Sequence, residues 1–165
     1  MERPRLRGRS RFQRSDYERR IMLDNYQDLI DELLGAPNML RTIIAAHGGT
    51  APDEVLALIV LLTERDIVVL ERLNRMRREA NPHVRKLTIA NDTPLPETDE
   101  ALDDALAHFD TNRGELVSLL MNLTLKDWER PATHEIEGEI TIADEVETHV
   151  EFDEDIRAKI EATLD

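Results

Sequence analysis

Four segments of the chain carry apolar residues at three- and four-residue spacing, the period of a helix that buries one face. The segments begin near Asp16, Asp53, Asp99 and Thr141. Their buried faces must be almost wholly aliphatic, because aromatic residues make up only 4% of the 165 residues. That composition favours helices packed on helices over a β-sandwich or a barrel. The sequence therefore predicts an all-α protein, a four-helix bundle.

Capping and helix-breaking residues predict where the first two helices end and begin. The run Gly35-Ala36-Pro37 is expected to break the first helix, so that Asn38 caps a short additional turn. Thr50 as the N-cap, with Asp53 three residues later, predicts the start of the second helix. Asn81-Pro82 predicts its end, because the residue before a proline avoids the helical conformation.

Two long connections flank the third helix. Residues 83–98 show no period, and about fifteen residues can run the length of a bundle, so the second and third helices need not be antiparallel neighbours. Residues 126–141 form the second connection, where Trp128 is expected to plug the end of the bundle. Thr141 and Asp144 then predict a capping box at the start of the fourth helix.

The net charge of -14 is distributed unevenly. The first twenty residues hold eight arginines against three acidic residues, so the remainder of the chain carries -19. An acidic body repels phosphate backbones, and nucleic-acid binding is therefore expected only through the arginine-rich arm. We assign residues 1–15 to a flexible arm and residues 16–165 to the bundle domain. The favoured interpretation of the arm is a solvated tail that folds back on the acidic body or on a neighbouring subunit, because short charged tails are commonly disordered.

Several classes of function are excluded by residues that the sequence lacks. With no cysteine there are no disulfides, thiolate nucleophiles or cysteine-ligated zinc sites. The longest apolar run, Val55 to Leu62, is far shorter than the roughly 20 residues that cross a bilayer. The arginine-rich N-terminus has no apolar core typical of a secretory signal. We therefore expect a cytoplasmic protein with no membrane association.

Motifs in the last third of the chain resemble the DinB-like superfamily in their order and spacing. The residues from Trp128 to Thr141 follow the pattern W-x-R-x-x-x-H-x-x-x-G-x-x-T. They come after Ala105 to Phe109 and Leu116 to Leu123 of the third helix, which also resemble the family. The resemblance covers about residues 20–164 and implies a DinB-like four-helix bundle with a long connection between helices 2 and 3. It also implies a homodimer.

The resemblance identifies three positions where the family holds a divalent metal ion with histidines. The family motif H-D-x-x-H-x-x-x-I falls on residues 152–160, and the motif H-L-x-D-R-D falls on residues 61–66. The three histidine positions are occupied here by Leu61, Phe152 and Ile156. Leucine, phenylalanine and isoleucine have no lone pair for a metal. We therefore predict that these positions belong to the core and that the protein has neither a metal nor another cofactor.

Some polar residues leave a displaced site open. His149 lies one turn before Phe152, and with Asp153 and Glu64 it could form a polar or metal site beside the family position. The alternative is that His149 is a pocket-edge or capping histidine. His134 precedes the loop glycine and is expected to form hydrogen bonds with the backbone rather than to catalyse.

Three functions follow as hypotheses. The favoured one is a DinB-like protein without the family metal site that acts in binding or assembly, for a small-molecule ligand or a partner that the sequence does not identify. The second is an active metal-dependent thiol S-transferase or hydrolase with a displaced site. The third is a nucleic-acid-associated protein that acts through its arm.

Overall fold

The computed structural model describes residues 11–165, with side chains from residue 16 onward. Within this part of the chain, four long helices form a bundle, so the predicted all-α four-helix bundle is confirmed. The helices are α1 (Arg11–Ala46), α2 (Asp53–Arg78), α3 (Leu102–Met121) and α5 (Ile142–Leu164), with the one-turn helix α4 (Leu125–Trp128) between the last two. Residues 1–10 of the proposed arm lie outside the described residues, and the backbone of residues 11–15 belongs to α1.

A small sheet that was not predicted lies in the two connections. Its strands are β1 (His83–Val84), β2 (Pro131–His134) and β3 (Gly138–Thr141), in the order β1-β2-β3. β1 runs parallel to β2, and β2 forms an antiparallel hairpin with β3. Gly138 adopts a φ of 75° where the hairpin turns, a conformation that favours glycine. The sheet therefore ties the chain after α2 to the chain after α3, at one end of the bundle.

The helices are arranged so that α1 and α2 lie across the bundle from each other. Each of them packs along both α3 and α5. The start of α2 shares core contacts with the start of α3, and the ends of these two helices also pack together, so α2 and α3 are parallel neighbours. The connection from residue 79 to residue 101 returns the chain along the bundle. The expectation that the second and third helices need not be antiparallel is confirmed.

The core consists of two apolar regions. The sheet-end core lies beside the small sheet, and the far-end core lies at the opposite end of the bundle. The sheet-end core includes Leu33, Val69, Leu73, Met76, Leu116, Leu120, Trp128, Ile142 and Val146. The far-end core includes Leu40, Ile44, Val55, Leu58, Ile59, Leu61, Phe109, Phe152, Ile156 and Ile160. The positions between these two groups along α2, α3 and α5 are occupied by charged side chains.

The predicted break in the first helix is wrong. Helix α1 continues through Pro37, whose side chain is buried, and Asn38 caps nothing there. Proline has no N–H to donate to the carbonyl of Leu33, four residues earlier. That carbonyl instead accepts a hydrogen bond of 2.9 Å from Nη1 of Arg113 on α3. A contact from another helix therefore satisfies the backbone group that proline leaves free.

The predicted caps have mixed outcomes. Helix α2 starts after Pro52 with no side-chain cap, so the expectation for Thr50 is wrong. Its start is stabilised instead by two acidic residues in the first turn, Asp53 and Glu54, at the positive end of the helix dipole. The capping box at the start of α5 is confirmed, because Thr141 and Asp144 each accept a hydrogen bond from the other's backbone N–H.

Trp128 closes the sheet end of the bundle, as the sequence predicts. Its ring stacks on Tyr26 of α1, with centroids 4.5 Å apart and planes 7° from parallel. Burial raises the pKa of Tyr26, and the nearby Glu129 and Asp144 carboxylates raise it further. Among residues 11–165, none of the helices combines the length and the apolar character of a membrane span.

Candidate functional site: a ligand pocket beside a buried charge cluster

The three residues that the sequence motifs match to metal ligands, Leu61, Phe152 and Ile156, lie in the far-end core. Leu61 is 1% exposed, Phe152 2% and Ile156 0%. All three pack within the same group of aliphatic side chains. Phe152 and Ile156 are one turn apart on α5, so that their side chains leave the helix on one face. The local chemistry at these positions is therefore that of a hydrocarbon interior.

A cluster of charged side chains separates the two cores. Arg113 of α3 is fully buried and lies between Asp66 of α2 and Asp153 of α5. Its Nε donates to Oδ2 of Asp66 at 3.0 Å, and its Nη2 donates to Oδ1 of the same residue at 2.9 Å. Nη1 and Nη2 also donate to Oδ2 and Oδ1 of Asp153, at 2.6 and 2.8 Å. One planar guanidinium thus binds two carboxylates and the Leu33 carbonyl, which a lysine ammonium could not do in this geometry.

The electrostatics of the cluster keep Arg113 charged. Burial opposes the charged guanidinium, but the carboxylates of Asp153 and Asp66 outweigh it, and the pKa of Arg113 is raised above its ordinary value. Asp66 also accepts a hydrogen bond of 2.8 Å from Nε2 of His149. If either the arginine or the carboxylates were removed, the remaining group would be a buried charge without a partner.

His149 has one bound and one unbound ring nitrogen. Because Nε2 meets the Asp66 carboxylate, it carries the donated proton, and the lone pair of a neutral ring is then on Nδ1. Nδ1 is buried and has no hydrogen-bond partner among the described residues. The ring of His149 lies nearly parallel to that of Phe152, with centroids 6.3 Å apart. His149 is therefore a core residue rather than the capping histidine of the alternative interpretation.

The displaced polar site is assembled only in part. His149 and Asp153 both border the buried cluster, but the guanidinium of Arg113 binds Asp153. Glu64 is half-buried on α2 and forms no hydrogen bond or ion pair with the described residues around it. Arg113 was missed by the sequence analysis. Its position four residues after Phe109 and three before Leu116 places it on the apolar face of α3, which is the signal that could have identified it.

The residues present do not fit the family metal. Within residues 16–165, no three histidine or acidic side chains converge in a geometry that would hold an ion. The two buried aspartates already neutralise a resident cation, Arg113, so that a divalent ion would have to displace it. The carbon side chains of Leu61, Phe152 and Ile156 offer no ligand atom.

A pocket of about 400 Å³ opens beside Phe152, which forms part of its wall. Its walls come from α2, from residues 86–92 of the long connection, from the turn of the β2–β3 hairpin and from α5. The apolar lining consists of Leu87, Ala90, Ile136, Ile140 and Phe152. The turn at the rim is held by His134, whose Nδ1 accepts from the backbone N–H groups of Ile136 and Glu137, at 3.1 and 3.2 Å. The backbone-bonding role predicted for His134 is therefore present.

Arg65 lies beside Phe152 in this pocket and is only 5% exposed. Its Cζ lies 4.3 Å from the centroid of the Phe152 ring, a cation–π contact. Nη1 donates to the carbonyl of Ile89, while Nε has no partner among the described residues. Burial lowers the pKa of Arg65, and the charge of Glu145 partly offsets this effect. Glu145 itself is bound to Arg72, with Oε1 and Nη1 2.8 Å apart.

Comparison with known proteins identifies a shared fold. No protein-family model matches the chain, and no curated protein matches it. Among solved structures, YfiT from Bacillus subtilis, described as a probable metal-dependent hydrolase with an unusual four-helix bundle topology, matches with a TM-score of 0.65. The two chains are 19% identical, and the match covers 96% of this chain and 89% of YfiT. A likeness at this identity concerns the fold alone, and it agrees with the four-helix bundle of the structure.

Proposed function

We propose that this protein is a DinB-like pseudoenzyme that has lost the family metal site and binds a small molecule without a metal. The observation that carries the proposal is the pairing of Phe152 with Arg65. Phe152 occupies the position of the first family histidine on α5, and the charged guanidinium of Arg65 covers its ring at 4.3 Å. A metal ion at this place would have an aromatic ring where it needs a lone pair and a cation where it needs negative charge.

The pocket supports a binding function because of its size and its lining. It is an open cleft of about 400 Å³, lined by three cationic side chains, by acidic side chains and by an apolar patch. Small-molecule sites have this character, an apolar lining with a few placed polar groups. A cytoplasmic location and a homodimeric assembly are part of the same proposal.

A second candidate function is a metal-dependent hydrolase or transferase with a displaced site. The observation in its favour is the free Nδ1 of His149, because histidine ligands commonly donate their other ring N–H to a carboxylate such as Asp66. Asp153 and Glu64 would have to complete the ligand set. Asp153 is bound to Arg113, which makes this candidate the weaker one.

Metal analysis and thermal unfolding of untagged protein test the proposal. We expect zinc, nickel, manganese and iron far below one equivalent per chain, and a melting temperature that a chelator leaves unchanged, since no binding energy is removed. One equivalent of a transition metal, with a lower melting temperature after chelation, would overturn the proposal. If that metal is lost in His149→Ala, the displaced site is the correct assignment.

A further inference from the structure

Arg65 is a buried cation without an ion pair. Arg113 and Arg72, by contrast, each bind a carboxylate directly. Arg65 lies near the charges of Glu145 and Asp153, yet no carboxylate of the described chain comes within 4.0 Å of its guanidinium nitrogens. Buried charges in proteins are usually paired, since an isolated one loses its hydration without compensation. An anionic group of a ligand in the pocket would supply the ion pair that Arg65 lacks.

One guanidinium nitrogen of Arg65 is left for a ligand. Nη1 donates to the Ile89 carbonyl and Nε is buried without a partner, while Nη2 donates no hydrogen bond within the described chain. Nη2 can therefore donate a charge-assisted hydrogen bond to an oxygen of a ligand carboxylate. Because Phe152 covers one face of the guanidinium, its plane is already fixed before a ligand binds.

The rim of the pocket has the opposite charge. Six acidic side chains line the cavity, against the three cations Arg65, Arg72 and Lys86. Glu145 forms an ion pair with Arg72. Asp144 caps α5, and Asp155 accepts a hydrogen bond from Asn91. The remaining three, Asp92, Glu137 and Glu151, are exposed at the rim and form no ion pair with the described residues. A ligand with several negative charges would be repelled on entry, whereas a cationic group would be held there.

We propose that the pocket binds a small zwitterion whose carboxylate contacts Arg65 and whose ammonium group lies at the rim beside Glu151. The proposal rests on the metal-independent binding function and names the ligand class for that site. Leu87, Ile140 and Phe152 line the same cavity and provide an apolar wall for a short hydrocarbon chain. An amino acid with a distal amine, or a compound of similar length derived from one, has this arrangement of charges.

Three probes of matched length test the charge arrangement by titration calorimetry or NMR, in a buffer free of carboxylates and containing a chelator. The probes are 6-aminohexanoate, hexanoate and hexylamine. We expect 6-aminohexanoate to bind most tightly, hexanoate more weakly, and hexylamine least, because the carboxylate would pair with the buried Arg65, which has no ion-pair partner in the described chain. Absence of binding by all three, or binding of hexylamine at least as tight as that of 6-aminohexanoate, would overturn the zwitterion proposal.

Matched variants identify the contacts. Arg65→Met should weaken binding of 6-aminohexanoate about tenfold or more, as expected for the loss of a charge-assisted hydrogen bond, while Arg78→Met on the exposed end of α2 should change nothing. If Arg65→Met does not fold, the variant Glu151→Gln tests the zwitterion proposal instead. It should reduce the preference for 6-aminohexanoate over hexanoate, because Asp92 and Glu137 remain at the rim, and Glu161→Gln, on α5 but outside the pocket, should leave the preference unchanged. Undiminished binding in Arg65→Met, or an unchanged preference in Glu151→Gln, would contradict the proposal.

The chelator separates this inference from the proposed function. If a probe binds only after zinc is added, the metal-independent function fails. If the protein is stable and metal-free but none of the probes binds, the proposed function stands and the ligand class is wrong.

Discussion

Arg113 on α3 completes the hydrogen bonding that Pro37 leaves unfinished in α1. The Leu33 carbonyl, which has no helical partner because residue 37 is proline, accepts from Nη1 of Arg113 at 2.9 Å. The same guanidinium joins Asp66 of α2 to Asp153 of α5. One side chain therefore connects all four long helices at the level between the two apolar cores. Such a contact specifies how the helices align along the bundle axis as well as how they pack.

Arg113→Met should destabilise the protein by about 3–5 kcal/mol. The substitution has a similar length but leaves the carboxylates of Asp66 and Asp153 buried without their cation. Urea unfolding measures the change. Arg41→Met is the matched control, because the Arg41–Asp110 pair is solvent-exposed on both sides and is expected to contribute at most about 1 kcal/mol. Similar losses in the two variants would show that the buried network has no special role.

The relationship of Pro37 to Arg113 is tested by a double-mutant cycle. In Arg113→Met, a second substitution Pro37→Ala should recover part of the lost stability, because the alanine N–H can donate to the Leu33 carbonyl in the ordinary helical pattern. In the wild-type background the same substitution should stabilise less, since that carbonyl already accepts from Arg113. The two free-energy changes, measured by urea unfolding, would be equal if the residues were independent.

The sequence predicts those features that depend on neighbours along the chain. The capping box of Thr141 and Asp144 is visible because its partners are three residues apart. The continuity of α1 through Pro37 is not, because the compensating donor, Arg113, is 80 residues from Leu33. The strands β1 and β2 are not predicted for the same reason. They have only two and four residues, and they pair although the whole of α3 lies between them in the sequence.

The candidate site divides in the same way. Motif positions identify Leu61, Phe152 and Ile156, and the helical period predicts that their side chains face inward. Arg65 was not singled out, although it lies within the matched helix 2 motif. Its importance comes from a ring 87 positions later in the chain and from a pocket whose walls come from four separate segments. Long-range packing of this kind leaves no local pattern in a sequence.

Phe152→Ala should cost about 3–5 kcal/mol of unfolding free energy. The ring is 2% exposed in the far-end core, and its removal leaves a cavity there and takes away the surface on which Arg65 stacks. Met121→Ala, at a residue that is 66% exposed on α3, should change stability by less than about 0.5 kcal/mol. Equal small effects in the two variants would mean that Phe152 does not belong to the core.

Light scattering should give a particle of twice the 19.0 kDa chain mass, as the family resemblance implies. Helix α1 exposes Tyr17, Ile21 and Leu23 on its first turns and Leu34 and Met39 further along, which makes it the helix to test as the dimer contact. Ile21→Glu should then shift the mass toward the monomer at micromolar concentration, and Met121→Glu on α3 should not. A monomer in the wild-type protein would remove the assembly part of the proposal.

Restoring histidine at all three family positions tests the inferred loss directly. The triple variant Leu61→His, Phe152→His and Ile156→His should be less stable than the wild type without metal, because three imidazoles would be buried without partners. Added zinc should raise its melting temperature in a concentration-dependent way, since metal binding to the folded state is linked to stability.

The double variant Phe152→His and Ile156→His is the control for the third ligand. It keeps the pair four residues apart on α5 and lacks the ligand from α2, so zinc should stabilise it less than the triple variant. If zinc stabilises the two equally, Leu61 does not correspond to the family ligand on helix 2. If zinc stabilises neither, the match of residues 152–160 to the family motif is wrong, because the backbone would then not direct these side chains toward one ion. Wild-type protein should show no zinc effect under the same conditions, for its three side chains at these positions offer no donor atom.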